Sequence, residues 1–243
     1  MTNRHANTQA RETMLRSIRS YLAASIQHDK REGSSHANVP TVPAIVPPEN
    51  GDPLSIVESF KQNLEDVNGH CIVARNELEI VRALTKIITG LQATNLKARR
   101  IAVSNTPALQ GLVNLIAVEI DELCITPSAA DLFNVDVGIT TAQAAIAETG
   151  TLVLDSSRER NRLTSLVPPV HIAIIDATQI RQTLGETLSE LQRDGEVSPI
   201  VTFVTGPSRT ADIELTLAIG VHGPQELYVI VNEGPALVAR DSI

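Results

Sequence analysis

The sequence predicts an α/β protein built on a mostly parallel sheet flanked by helices. Apolar runs of strand length recur along the chain, as at 71–74, 171–176 and 227–232, and segments of helical period separate them. Strands covered on both faces read as unbroken apolar runs, whereas strands with one wet face alternate. A length of 243 residues with a 42% apolar share, carried by Ile, Leu, Val and Ala, is enough to bury a real core.

The elements follow in order. Met14, Leu15, Ile18, Leu22 and Ile26 recur at helical spacing, so residues 1–27 read as an N-terminal amphipathic helix. Pro40, Pro43 and Pro47-Pro48 break any pattern over 28–52, which reads as a linker tethering that helix. From 53 to 243 strands and helices alternate as one α/β domain. A helix at 54–67 precedes a strand at 71–74, and Asn76 with Glu79 resembles a capping box opening a helix to Leu91. Strands at 100–104 and 122–126 flank a short helix from Pro107. A strand at 136–140, a helical alanine-rich turn at 141–147 and a strand at 151–155 come next. Then a strand at 171–176, a helix at 179–193, a strand at 199–205, a helix at 210–219 and a strand at 227–232 complete the domain.

Composition removes several classes of function. The chain has no Trp, two Tyr and three Phe, too few rings for a nucleobase-stacking platform. A net charge of −8 argues against general nucleic-acid binding, which needs clustered cations. The charge is uneven: residues 1–31 hold six basic and two acidic side chains, +4, leaving −12 for the remainder. A basic segment on an acidic body suggests a docking arm. Cys71 and Cys124 are isolated in apolar runs, so they ligate no iron–sulfur cluster, and their scarcity points to a reducing, cytoplasmic setting. No apolar run approaches the roughly 20 residues a membrane span requires. The glycine-rich nucleotide loops, H-E-x-x-H and G-x-S-x-G are all missing, and no cofactor or metal is expected.

Chemistry is expected in the C-terminal half. Gly206-Pro207 turns the chain after a strand, and Ser208, Arg209, Thr210 and Asp212 occupy the first turn of the expected helix. A helix N-terminus outside a strand's carboxyl end suits a phosphate or carboxylate, with Arg209 as a clamp. The alternative is a Ser208 or Thr210 cap with Arg209 paired to an acid. His222 lies between Gly220 and Gly223 on a loop, where it reads either as a general acid–base or as a backbone-bonded loop residue. His171, beginning a strand, reads as structural. Glu148 and Thr149 end a turn before Gly150; a carboxylate there reads as nucleophile or base, or as a solvated helix-end group. Arg162 and Ser165 sit in a loop too long for a tight connector.

Taken together, Gly138-Ile-Thr140-x-Ala, Ala147-Glu-Thr-Gly-Thr151, Arg162-x-x-Ser165-Leu-x-Pro168-x-x-His171, Thr205-Gly-Pro-Ser-Arg-Thr-Ala-Asp-Ile-Glu214 and Gly220-Val-His-Gly-Pro224 resemble the lactate-utilisation (LUD) domain family. The short chain without iron–sulfur cysteines is similar to its lactate-utilisation protein C branch. The resemblance implies a fold like that of the sugar-phosphate isomerase and CoA-transferase superfamily. It implies a subunit role in oxidising L-lactate to pyruvate beside iron–sulfur partner proteins, with a small anionic substrate. It makes Glu148 and His222 candidate catalytic residues, and Thr140, Thr149, Arg162, Ser165, Gly206, Ser208, Arg209, Thr210 and Asp212 candidate ligand contacts. The alternative is a stand-alone enzyme for a phosphorylated or CoA-linked acid, with Glu148 as nucleophile or base.

Overall fold

The computed structural model describes residues 16, 55–125, 127–156, 162–193, 199–211, 217–219 and 223–237. The chain divides into Met1–Gly51 and Asp52–Ile243, and the account below concerns the second. The expected helix within 1–27 and the linker at 28–52 lie outside the described residues, Arg16 apart.

The first helix, α1 (Ile56–Asp66), opens on a capping box. Ser55 Oγ accepts from Glu58 N–H at 3.2 Å, and Glu58 accepts from Ser55 N–H at 3.1 Å. Two of the orphan donors of the first turn are thereby satisfied. Val57, Phe60 and Leu64 form its buried stripe. Strand β1 (His70–Ala74) leads to α2 (Glu77–Gln92), where Asn76 Oδ1 caps Glu79 N–H at 2.9 Å. Glu79 reaches back to Arg75 N–H, one residue beyond the usual partner. Then come β2 (Arg100–Val103), α3 (Pro107–Val113), β3 (Glu122–Ile125), α4 (Ala129–Leu132) and β4 (Val137–Thr141). Strands β5 (Ala144–Ile146), β6 (Thr151–Asp155), β7 (Val170–Asp176) and β8 (Ile180–Arg181) precede α5 (Leu184–Arg193). Strands β9 (Val201–Val204), β10 (Arg209–Ala211), β11 (Leu217–Ile219) and β12 (Glu226–Asn232) complete the domain.

Six strands form an all-parallel sheet in the order β1-β12-β7-β4-β2-β3. Its first and last strands pair along their length, His70 to Tyr228 and Ala74 to Asn232. Helices α2 and α3 cover one face, burying Ile80, Leu84, Ile88 and Leu109 against Ile101, Ile139, Ile172 and Ile230. On the other face α1 and a second sheet, ordered β8-β5-β6-β9, bury Phe60, Leu64, Ala145 and Leu152 against Ala173, Ile175 and Val229. Further along that face Leu163 and Val167 pack with Ala102, Leu132 and Val135. Helices on both faces explain why the central strands carry apolar side chains at nearly every position.

Three local expectations are corrected. The turn at 141–147 is not helical: Ala144–Ile146 is a strand antiparallel to β6, followed by a 3₁₀ turn at Ala147–Thr149. Its alanines are buried between two layers, where small side chains fit and helical propensity is overridden. The helix expected from 179 begins at Leu184, because Ile180–Arg181 pairs with β5. Where a helix is expected at 210–219, the described residues form the antiparallel pair β10 and β11, with Thr210 opposite Ala218, and 212–216 lie outside the described residues.

Gly150, at φ +62°, lies directly on the backbone of α1 at Asn63 and Leu64, leaving no room for a Cβ. Gly150→Ala combines left-handed strain with a backbone clash and is expected to cost at least about 2 kcal/mol in urea unfolding. A variant as stable as wild type contradicts that packing.

Candidate functional site

Two groups of the sequence-predicted residues come together on the α1 face. The first gathers at the C-terminal end of α1. Asn63 donates from Nδ2 to Ala147 O at 2.7 Å, holding the 3₁₀ turn. The hydroxyls of Thr149, Thr151 and Thr205 form a chain, each link 2.7 Å. Gly206, at φ +80°, brings the chain onto Val67, and Arg209 Nη2 donates to Val67 O at 2.7 Å. Val67 is the C-cap of α1. A cation at a helix C-terminus meets the negative end of the dipole and an orphan carbonyl.

This arrangement differs from the anion clamp expected of Arg209. Gly206-Pro207 leads into strand β10, so among the described residues no helix N-terminus is presented there, and the guanidinium is engaged with a carbonyl. Ser208 N–H donates to Pro224 O at 2.8 Å, and Thr210 lies in the β10 ladder. The adjoining cleft, about 480 Å³, is lined by Arg209 and His70 and also by Glu65 and Glu226. His70 stacks on Tyr228 at 4.6 Å and sits 3.1 Å from Glu226 Oε2, so the cleft is a mixed-charge surface. Glu148 also has a structural partner: its Oε1 accepts from Leu184 N–H at 2.8 Å, at the start of α5. Asp212 and His222 lie outside the described residues.

The second group is buried. The strap Arg162–Pro169 crosses β4 at Gly138, where the carbonyl of Thr164 occupies the space a Cβ would need. Ser165 Oγ donates to Arg162 O at 2.7 Å and fixes the 3₁₀ turn. Gly138 is the register partner of His171 on β7. Alternation along β7 turns Val170, Ile172 and Ile174 to the α2 face and His171, Ala173 and Ile175 to the α1 face. His171 Nε2 lies 2.9 Å from Thr140 Oγ1, and both residues are fully buried.

Two atoms in this group have no partner: Nδ1 of His171 and Oγ1 of Thr164. A buried polar atom left unpaired costs about 1–3 kcal/mol, so such atoms are rare and call for a reason. Desolvation holds the imidazole pKa at about 4, against an ordinary 6.5. The buried part of the group is therefore uncharged: a neutral imidazole and the hydroxyls of Thr140, Thr164 and Ser165, with Arg162 at the start of the strap. Of the residues expected to bind ligand, Thr140, Arg162 and Ser165 belong here, Thr149, Gly206 and Arg209 to the first group. His171, read from the sequence as structural, is buried and bonded to Thr140; Thr164 was not singled out from the sequence.

Fold and site together define an α/β domain with one parallel sheet and a smaller antiparallel layer strapped across it. The LUD domain profile matches residues 57–231, and the chain belongs to that family. It is 46% identical over 103 residues to a lactate utilization protein C of Exiguobacterium, covering 40% of this chain and 45% of that protein. A lactate utilization protein C of Bacillus subtilis is 38% identical over 103 residues, with 40% and 43% covered. The chain thus aligns with less than half the length of these curated relatives. Among solved structures, a DUF162 family protein from Deinococcus radiodurans matches with a TM-score of 0.54 at 27% identity, over 74% of this chain and 99% of that one.

Two outcomes test this geometry. The unfolded chain takes up a proton at His171 as pH falls through 6.5, whereas the folded chain waits until about 4. Stability from this residue is therefore complete above pH 7, falls between about 6.5 and 4, and is level below. The total is about 3 kcal/mol. Denaturant titration at pH 7.5 and 5 should show about 2 kcal/mol of this loss in wild type and not in His171→Gln. Arg209→Ala should cost only about 0.5–1 kcal/mol, as loss of an exposed cation at a helix end; a loss above about 2 kcal/mol would show a larger structural role.

Proposed function

We propose that this chain serves L-lactate utilisation as a cytoplasmic component without its own redox centre. The observation that carries this is its membership of the LUD family, with up to 46% identity to proteins named lactate utilization protein C. Oxidising L-lactate to pyruvate removes two electrons and two protons. The only two cysteines fall short of a cluster's ligand set. Burial pushes the Cys71 thiol up to about 12, and Cys124 is raised by desolvation and by its contact with Glu122. Neither is poised as a thiolate ligand. The electrons therefore pass to iron–sulfur partner proteins, and this chain binds or positions the small acid. No helix among the described residues is long and apolar enough to cross a membrane.

The reading as a stand-alone enzyme with Glu148 as nucleophile is weaker, since that carboxylate is engaged at the start of α5. Deleting the gene in its host should abolish growth on L-lactate as sole carbon source, and a wild-type copy should restore it. Tagged protein from those cells should bring down iron–sulfur proteins. Undiminished growth of the deletion strain on L-lactate would overturn the proposal.

A further inference from the structure

We propose that the open edge of β3 is a docking site for an extended segment of a partner protein, one that alternates apolar and basic residues and pairs with β3 as a further strand. The proposal rests on the chemistry of this edge and not on the lactate-utilisation reading. β3 ends the six-stranded sheet, with β2 as its neighbour and no strand beyond it among the described residues. Glu122 N–H turns toward β2 and donates to Arg99 O, so alternation leaves the N–H and C=O groups of Leu123 and Ile125 facing outward.

Such an edge is a template for another strand, and folded proteins usually blunt it with lysine, proline or a covering element. β1, at the opposite edge, buries Cys71 and Ala74 and packs against α1 and α2. β3 has less cover: Leu123 is 37% exposed and Ile125 46%.

The two faces of β3 differ, and the difference selects the partner. Leu123 and Ile125 are register partners of Ile101 and Val103, so they extend the apolar face that α2 and α3 cover elsewhere. Cys124 is the partner of Ala102 and lies on the strap face with Glu122. Desolvation, the bond to Glu122 and the charges of Glu122 and Asp131 all raise the pKa of the Cys124 thiol, so both carboxylates bear on this face. Arg99 answers Glu119 and Asp121, and Arg100 answers Asp136. Glu122 and Asp131 are bonded to the Cys124 thiol and to Ser128, and neither meets a cation among the described residues. An incoming strand therefore meets apolar side chains on one face and unneutralised carboxylates on the other. A period of two, with Val or Ile beside Leu123 and Ile125 and Lys or Arg beside Glu122, satisfies both faces at once. A second copy of β3 does not, since Glu122–Ile125 brings another carboxylate and no basic residue.

The test uses the full chain labelled with ¹⁵N and three short synthetic peptides. The first alternates lysine and valine, and the second carries glutamate in place of each lysine. The third has the composition of the first, with its lysines and valines in two blocks. Affinity is read from the fluorescence anisotropy of dye-labelled peptide, and location from amide hydrogen exchange. The expected result is saturable binding of the first peptide, with slowed exchange at Leu123 and Ile125. The other two should bind about tenfold more weakly or worse. Ile125→Ser should weaken the first peptide by about threefold to tenfold, and Glu122→Gln by about twofold to fivefold. Should Ile125→Ser lower the thermal midpoint, the exposed Glu122→Gln carries the test alone.

Absence of saturable binding, equal binding of the glutamate or block peptide, or wild-type affinity in Glu122→Gln overturns the proposal. So does binding that leaves exchange at Leu123 and Ile125 unchanged. Slowed exchange at those amides in the free chain overturns it as well, because a second copy or another part of this chain would then already cover the edge.

Discussion

Two left-handed glycines grip the last turn of α1, Gly150 against Leu64 and Gly206 against Val67, and the layer above the parallel sheet depends on that grip. A side chain at either point would push the second sheet away from the helix. With the glycines in place, Asn63 holds the 3₁₀ turn, the threonine hydroxyls link β6 to the segment after β9, and Arg209 closes the helix end. Phe60 and Leu64 can then sit against Ala145 and Leu152 without a gap. In a close-packed interior such a contact cannot be loosened gradually; it is either made or lost.

The same packing sets the chemistry. Helix α1 and the second sheet cover β1, β12 and β7, while the strap and α4 cover β4 and β2. Where the two coverings meet, the sheet presents His171 and Thr140 in place of aliphatic side chains. Water is excluded, so the imidazole stays neutral and its partners must be hydroxyls, not charges. Glu148 and Arg209 sit elsewhere, serving helix ends.

Much of this was legible from residue order. The parallel sheet followed from unbroken apolar runs at 171–176 and 227–232, and the α2 cap from Asn76 and Glu79. The region at 205–211 misled, because a Gly-Pro turn with Ser, Arg and Thr after it looks like a helix start. The described residues there pair instead as β10 and β11. Arg209 was expected to clamp an anion or pair with an acid, whereas its partner, Val67 O, is a backbone atom 142 positions away. Likewise, an orphan Nδ1 at His171 is a property of three crossing segments, and no local pattern encodes it. Sequence specifies periodicity and turn chemistry locally, whereas partners of single polar atoms are settled by tertiary packing.

The pairing of β1 with β12 has a consequence for how the domain comes into being. β1 is an edge strand whose neighbour in the sheet is the last strand of the domain, so its ladder bonds cannot form until residue 226 and those after it are available. During synthesis at about 5–20 residues per second, β1 and the α1 layer wait for more than 150 residues of chain. Closing so large a loop is an entropic cost met late, which places this domain among slow, topology-limited folders. Until β12 inserts, β7 presents an unpaired apolar flank, and the nascent chain is exposed to mispairing there until β12 emerges.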